Sequence, residues 1–416
     1  MEPISKIKGF QDITWQEASK YSFLETTAQK VFKRYGFSEI RIPILEKTEL
    51  FSRTIGDNTD IVQKEMYTFP DKKGRSLTMR PEATAGIARA YIENKIYSRE
   101  RISKFYTIGP MFRYERPQKG RQRQFHQVNA ELFGTASAQA DAEVVNMMWT
   151  YFEQIGVDGL NLEVNSLGCP ECSPIFKQKL LDILSRLDKN NFCSDCKSRI
   201  DTNPLRLFDC KNPQCQEIMQ DLPMPIDFLC KDCKHHFDFL QELLCSTGIS
   251  YTINKKLVRG LDYYQRTAFE LTSDKIGAQS AIAGGGRYDG LIKQLGGPDT
   301  PAIGFACGLE RIIFLLQEME DFGIDFYLVL LADKAIEKGH KLAQDLRKLG
   351  FSGNVSYSIS SAKSQLREAN KQGAKKCLLL GEEELNKNTV LVKDMTSGTQ
   401  EQVSEDQITG VFENYN

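Results

Sequence analysis

The sequence predicts an α+β protein: an antiparallel sheet flanked by helices, interrupted by a Cys-rich inserted domain and followed by a C-terminal α/β domain. Three observations carry that prediction. Strand-like segments and turn signals recur through the first 134 residues without the strand–helix–strand rhythm of a parallel sheet. Eight of the eleven cysteines lie between positions 169 and 233. From Phe326 onward, apolar strands alternate with amphipathic helices, the pattern of a small, largely parallel sheet.

The elements follow in order. Lys20 to Tyr35 places Phe23, Leu24, Val31 and Phe32 close to helical spacing, and Gly36 supplies a stop. Phe37 to Pro43 alternates apolar and polar residues as a half-buried strand does, with Pro43 marking an edge or an end. Further strands are expected over Phe105 to Phe112 and Gln127 to Phe133. The Cys-rich stretch reads as an insertion with its own small core. Strand-like text resumes at Tyr251 and runs through Phe269 to Thr272, and Gly304 to Leu316 reads as a strand entering an apolar helix. Gly323 to Asp325 suits a linker. Beyond it, the strand Phe326 to Leu331, the helix Ala335 to Leu349, Val355 to Ile359, a helix after Ser361 and Cys377 to Leu380 repeat the alternation. The implied boundaries are 1–165 and 246–322 for a core in two parts, 166–245 for the insertion and 326–416 for the last domain.

Composition limits the functions open to the chain. Its 416 residues are enough for two to four domains and a sizeable core. With 54 Lys+Arg against 55 Asp+Glu the formal net charge is -1, which excludes a generally basic nucleic-acid coat but allows a local patch. The first ten residues lack the apolar run of a secretory signal, and no stretch reaches about 18 consecutive apolar residues, the length of a membrane span. A cytoplasmic protein is expected.

Five segments carry candidate chemistry. Between Arg113 and Arg123, five cations (Arg113, Arg116, Lys119, Arg121, Arg123) surround one carboxylate, Glu115, and Phe125 follows. Guanidinium forks bind phosphate oxygens bidentately, so this hairpin suits a polyphosphate with a base stacked on Phe125; a solvated surface hairpin is the bland alternative. Met79 to Gly86 offers Glu82 and Thr84 for an ammonium group, or else a helix N-terminus with Glu82 near its positive end. Leu257 to Tyr264 sets Arg259, Tyr263 and Tyr264 in apolar text, where tyrosines are usually core or interface residues. Ala283 to Gly290 contains three successive glycines, expected to make a poor strand and to admit a ligand close to the backbone. Ala302 to Arg311 ends with Arg311 opening a helix.

In this order the five segments resemble the class II aminoacyl-tRNA synthetases, and among them the histidyl-tRNA synthetase family, over essentially the whole chain. Arg113, Glu115 and the loop to Phe125 look like the second motif of the class, Gly304 to Arg311 like the third, and Phe37 to Pro43 like the first, which in the family lies at the dimer interface. Leu257 to Tyr264 and Ala283 to Gly290 look like the two signatures of the histidine enzymes. The resemblance implies a class II synthetase-like fold and an ATP-dependent ligase that activates L-histidine and charges tRNA(His). It implies MgATP as substrate and a homodimer. It also implies residue roles. Arg113 would hold the α-phosphate, Glu115 would accept from the adenine amine, and Arg121 and Arg123 would reach the outer phosphates. Phe125 and Arg311 would sandwich the adenine. Glu82, Thr84 and Gln127 would bind the α-ammonium group, and Glu131 and Tyr264, with Tyr263 beside them, would face the imidazole. Arg259 would join Arg113 as a catalytic cation. Arg116, Gln118 and Lys119 would meet the tRNA acceptor end. The C-terminal domain looks like the family's anticodon-binding domain, although its lysines Lys363, Lys371, Lys375 and Lys376 read as a solvated face.

The cysteines form four short-spaced pairs: Cys169 with Cys172, Cys193 with Cys196, Cys210 with Cys215, and Cys230 with Cys233. Two pairs supply the four thiolates of a tetrahedral Zn²⁺, so eight cysteines suit up to two structural ions. Four disulfides are the competing reading, disfavoured in a cytosolic enzyme. Spacing leaves three ways to combine the pairs, and His235 or His236 could substitute as a ligand. Cys245, Cys307 and Cys377 read as small core residues. Two other functions compete: a catalytically inactive relative such as the regulatory subunit of ATP phosphoribosyltransferase, and a zinc-dependent nucleic-acid module.

Overall fold

The computed structural model describes residues 3–56, 59–118, 120–261, 263–276, 281–316 and 323–412. The chain divides into two compact units, 1–318 and 319–416.

The first unit contains strands β1 (Ser38–Glu39), β2 (Leu45–Lys47), β3 (Tyr67–Pro70), β4 (Ser76–Met79), β5 (Ser103–Phe112), β6 (Gln124–Phe133), β7 (Leu160–Ser166), β8 (Tyr251–Ile253), β9 (Gln265–Ser273), β10 (Ala281–Arg287) and β11 (Ala302–Gly308). Eight of them form one sheet in the order β1-β5-β6-β11-β10-β9-β7-β8, and β2-β4-β3 form a smaller one. The pairings from β5 to β7 across the large sheet are antiparallel; only the outermost strands, β1 on β5 and β8 on β7, pair in parallel. Strands β5 and β6 are joined by the basic hairpin, so its cations stand at the ends of these two strands.

Helices Trp15–Arg34 and Ala138–Gln154 cover one face of this sheet. The first begins five residues earlier than periodicity suggests, because its opening turn carries an exposed Trp15 and no apolar stripe. It stops at Gly36, whose φ of +78° suits glycine. Phe32 sits at the centre of this layer, its ring 5.6 to 6.5 Å from those of Phe37, Tyr106, Tyr151 and Phe305. The expected strand from Phe37 shrinks to two residues: Phe37 and Ile42 are buried, but pairing with β5 is confined to Ser38 and Glu39.

One expectation is overturned outright. The triple-glycine segment is a central strand, paired on both sides to β9 and β11. Missing side chains weaken an isolated strand, but here two neighbours fix the backbone and the space is used by groups that approach it.

The Cys-rich segment leaves β7 and returns to β8. It is helical, with helices Ser173–Leu184, Ser194–Thr202, Pro213–Ile218 and Lys231–Ser246. Phe176, Leu180, Leu184, Phe192, Leu207 and Met219 gather in a core of its own.

The second unit has strands β12 (Phe326–Leu330), β13 (Gly353–Val355), β14 (Lys376–Leu380), β15 (Thr389–Asp394) and β16 (Gln400–Ser404), in the order β13-β12-β14-β15-β16. Helix Ala335–Lys348 buries Leu342, Ala343 and Leu346. Ser361 caps helix Ala362–Lys371 by accepting from Ser364 N. The sheet is mixed rather than largely parallel: β12 pairs in parallel with β13 and β14, while β15 and β16 add an antiparallel hairpin. Cys307 and Cys377 are buried as expected, but Cys245 is exposed at the end of its helix. Among the described residues no helix is long and apolar enough to cross a membrane.

Phe32→Ala would remove a fully buried ring from the contact of helix and sheet. The expected cost is about 3–5 kcal/mol, read as a lower denaturation midpoint of the first unit by chemical unfolding.

Candidate active site

Alternation along β6 directs Phe125, Gln127, Asn129 and Glu131 into one cavity of about 260 Å³ on the face of the large sheet. Loops bring Glu82, Arg113, Glu115 and Arg121 to it, and Thr84 comes from the first position of a helix. Arg259, Tyr263 and Tyr264 arrive from the segment before β9, and Arg311 from the helix after β11. Segments far apart in sequence therefore meet in one place.

The cavity has two chemically distinct ends. At one, Glu131 is buried and accepts from Thr84 Oγ1 at 2.6 Å and from the Tyr288 hydroxyl. Burial pushes its carboxyl up to about 8, and the neighbouring Glu82 adds to the rise. Gly304 faces Glu131 across β6 and β11, where a Cβ would run into the carboxylate. Burial also pushes up the phenols of Tyr263 and Tyr264, which keeps both as neutral hydroxyls. Glu82 accepts from the backbone N–H of Thr84 at 2.7 Å and of Ala85 at 2.9 Å. It thus caps helix Thr84–Glu93 and faces the cavity as well, so the two roles weighed for it are compatible. Its carboxyl is raised by burial, against the pull of those two N–H groups.

The other end is cationic. Arg113 donates through Nε to Pro81 O at 2.9 Å, and its guanidinium lies 5.5 Å from the centre of the Phe125 ring. Glu115 pairs with Arg121 at 2.8 Å and stands 4.0 Å from Arg113. Arg311 donates to Ala281 O. Between the two ends Arg259 pairs with Glu270 and lies flat against β10; a Cβ on Gly284 would stand 2.5 Å from its Nη1. This is one use of the glycine run.

Two buried polar atoms in the wall, Gln127 Oε1 and Asn129 Nδ2, have no hydrogen-bond partner among the described residues. Such atoms are costly to leave unpaired.

Arg123 departs from expectation. It does not line the cavity: its guanidinium lies 3.9 Å from the centre of the Tyr114 ring, and its Nε donates to Glu115 O at 3.1 Å. Stacking and a carbonyl partner hold its guanidinium apart from the cavity lining. Arg116 and Gln118 are exposed on the hairpin, and Lys119 lies outside the described residues.

Among the lining residues that sequence reasoning missed are Asn129, Glu270, Tyr288 and Glu310. Asn129 was legible from strand alternation between Gln127 and Glu131. Tyr288 and Glu310 lie inside segments already singled out, each beside an arginine. Glu270 had no local signal; it faces the cavity only because β9 pairs with β10. Glu310 accepts from His126 N at 2.8 Å through Oε1, while Oε2 is buried without a partner among the described residues.

Behind the cavity lies an ion pair with no exposed surface. Arg287, next to Tyr288, donates through Nε to Asp141 at 3.0 Å and through Nη1 to Asp289 at 2.8 Å and to Thr135 O at 2.9 Å.

The eight clustered cysteines form two groups, Cys169, Cys172, Cys230 and Cys233 in one and Cys193, Cys196, Cys210 and Cys215 in the other. Sγ–Sγ separations are 3.7 Å for Cys169–Cys172, 3.9 Å for Cys169–Cys230, and 3.8 Å for both Cys172–Cys233 and Cys193–Cys210. These are far beyond an S–S bond and match the edge of a tetrahedron with Zn–S of about 2.3 Å, roughly 3.8 Å. In each group one thiol is held down to about 7. For Cys193 the backbone N–H of Cys196 is the main cause; for Cys169, burial is outweighed by backbone N–H groups of Cys172 and Glu171. Neither histidine joins a group: His235 stacks on Phe239, and His236 faces Asp141.

Comparison with known proteins gives a consistent picture. The family model for histidyl-tRNA synthetase matches residues 9–312, and that for an anticodon binding domain matches residues 325–415. A histidine–tRNA ligase of Maridesulfovibrio salexigens is 55% identical, covering 98% of this chain and 99% of its own. One from Geobacter sulfurreducens is 49% identical over 96% of this chain and 97% of its own. Among solved structures, apo histidyl-tRNA synthetase from S. aureus matches with a TM-score of 0.82 at 34% identity, covering 99% of this chain and all of that one, 100%.

The raised Glu131 carboxyl has a consequence for stability. The unfolded chain loses this proton near the ordinary glutamate pKa of about 4.3, whereas the folded protein keeps it up to about 8. The folded state therefore binds more protons in that interval, and its stability falls as pH rises through it. The melting temperature of the ligand-free protein should decline from pH 5.5 to 8.5 more steeply than that of Glu131→Gln, measured by scanning calorimetry.

Proposed function

The chain belongs to the histidyl-tRNA synthetase family, and we propose that its central cavity carries both half-reactions of a histidine–tRNA ligase. The single observation behind this reading is the division of one cavity into a buried Glu131–Tyr264 end and an Arg113–Arg121–Arg311 end, with Arg259 between them.

In the first half-reaction the histidine carboxylate attacks the α-phosphorus of MgATP in line and pyrophosphate leaves. A carboxylate is already a nucleophile at neutral pH, so positioning and charge neutralisation do the work. Arg113 holds the α-phosphate, Glu115 accepts from the adenine amine, Phe125 and Arg311 enclose the ring, and Arg121 meets the outer phosphates. Arg259 stabilises charge developing on the α-phosphate. Glu82, Thr84 and Gln127 bind the α-ammonium group. An imidazole offers one donor and one acceptor, which Glu131 and Tyr264 can satisfy together, with Tyr263 packed beside them. An amino acid lacking that pattern would leave buried polar groups unpaired and be rejected by several orders of magnitude. In the second half-reaction the terminal ribose hydroxyl of tRNA(His) attacks the adenylate carbonyl and AMP leaves.

The remaining assignments belong to the same reading. Arg116, Gln118 and Lys119 meet the acceptor end, and the second unit reads the anticodon. Each cysteine group holds one structural Zn²⁺, which ties its helices together. Exposed Ile44 and Leu45, beside the segment Phe37 to Pro43, offer an apolar edge to a second copy in a homodimer. Translation substrates place the enzyme in the cytoplasm. The inactive-relative alternative is disfavoured by the retention of Arg259, Tyr264 and a complete second unit.

ATP–pyrophosphate exchange assayed with each amino acid separately should respond to histidine alone. Arg259→Ala should lower histidine-dependent exchange by roughly 10²–10³-fold while ATP affinity, measured by calorimetry, stays within a few-fold. Exchange near the wild-type rate would remove Arg259 from the mechanism.

A further inference from the structure

Two of the cysteine pairs stand at the root of the insertion. Cys169 and Cys172 follow β7 as the chain leaves the catalytic sheet, and Cys230 and Cys233 open the helix Lys231–Ser246 that brings it back. Fifty-seven residues of chain lie between the pairs, whose thiols meet here beside Leu229. Thiol–thiol contacts are weak on their own; a shared metal would make the junction strong.

Three connections run from this junction to the imidazole end of the cavity. Asn165, four residues before Cys169, donates through Nδ2 to Lys255 O at 3.1 Å and Leu257 O at 2.9 Å, fixing the start of the segment that carries Arg259. Leu167 N donates to Arg266 O at 2.7 Å, and Arg266 N to Gly168 O at 2.8 Å. Arg266 has a φ of +51°, a backbone conformation that a residue with a side chain keeps only when its surroundings hold it. It lies two residues beyond Tyr264. The third connection starts on the returning helix. His236, one turn beyond Cys233, is buried with Nε2 3.4 Å from Asp141 Oδ2, an electrostatic approach outside hydrogen-bond geometry. Asp141 holds Arg287, and the adjacent Tyr288 donates to Glu131.

We propose that the Cys169–Cys172–Cys230–Cys233 site is a zinc site that positions the histidine pocket, by clamping both ends of the insertion against Arg266 on one side and Asp141 on the other. The inference rests on the metal reading above and gives one of the two ions a task in substrate selection. None of the three connections reaches Arg113, Arg121 or Arg311, although the first reaches the segment of Arg259. Loss of this ion therefore raises the histidine KM and, through Arg259, lowers the rate while the ATP KM stays in place, whereas a general loss of folded enzyme would lower the maximal rate and leave both KM values in place.

The test uses the full chain purified without chelator. Zinc is counted by mass spectrometry, and KM for histidine and for ATP are measured by pyrophosphate exchange. Wild type should hold two ions. Cys233→Ser should hold one and show a histidine KM raised about tenfold with the ATP KM within twofold. His236→Asn leaves all eight thiols intact; it should keep two ions and raise the histidine KM several-fold, and it decides the matter if Cys233→Ser does not fold. One ion lost with both KM values unchanged, or His236→Asn indistinguishable from wild type, would overturn the positioning role while sparing the metal. A wild-type protein without zinc would overturn the metal reading, and this inference with it.

Discussion

Arg287 has no surface exposed to solvent, yet its guanidinium is met on every side: by Asp141, by Asp289, and by the carbonyls of Thr135 and Ser137. A buried cation is tolerable only when it is paired and its donors are used. Meeting that requirement draws together the start of helix Ala138–Gln154, the end of β10 and the loop after β6. Asp289 also accepts from Ala302 N at 3.0 Å, which sets the start of β11. Arg287 and Asp289 thereby link the ends of the strands that present Glu131, Gly284 and Gly304, whose register the backbone pairings set. Replacing one member would leave an unpaired buried charge, so the pair specifies geometry more than it adds net stability.

The cavity in front of that pair is held ready by internal partners. Arg259 pairs with Glu270 and Arg121 with Glu115, so two guanidinium groups of the cavity wall are each held by a carboxylate of the same wall. Holding charges in fixed places before the reaction avoids the cost of reorganising them during it. The same pairing explains how a chain with a net charge of -1 serves a triphosphate and a polynucleotide. Its cations are concentrated locally and balanced elsewhere.

Much of this was legible because chemistry needs particular residue types at fixed spacing. The basic hairpin, the Glu82–Thr84 pair and the Arg259–Tyr264 segment announced themselves, and apart from Arg123 and the exposed hairpin residues the expected side chains line one cavity. What stayed hidden was set by tertiary contacts. The glycine run resembles a weak strand until β9 and β11 flank it. Arg123 resembles its neighbours Arg113 and Arg121 until Tyr114 is seen beneath it. Glu270 carries no signal at all without the register of β9 on β10. Helix Trp15–Arg34 was cut short because its first turn faces water and lacks the apolar spacing on which the expectation depended.

The cysteines show the same division at its sharpest. Eight thiols in four short-spaced pairs declare tetrahedral coordination, but three pairings satisfy the spacing equally. The chain path selects one: the outer pairs meet because β7 and β8 are neighbours in the same sheet, which forces the two ends of the insertion together. The inner pairs are then left to each other, inside a segment whose own core has eleven buried residues, three of them these cysteines. A core that small supplies only a few kcal/mol. A metal at the central group would tie the insertion together, and one at the root would tie it to the sheet. Two clusters of identical composition therefore occupy different places in the fold, and the difference follows from where the sheet requires the chain to leave and to return.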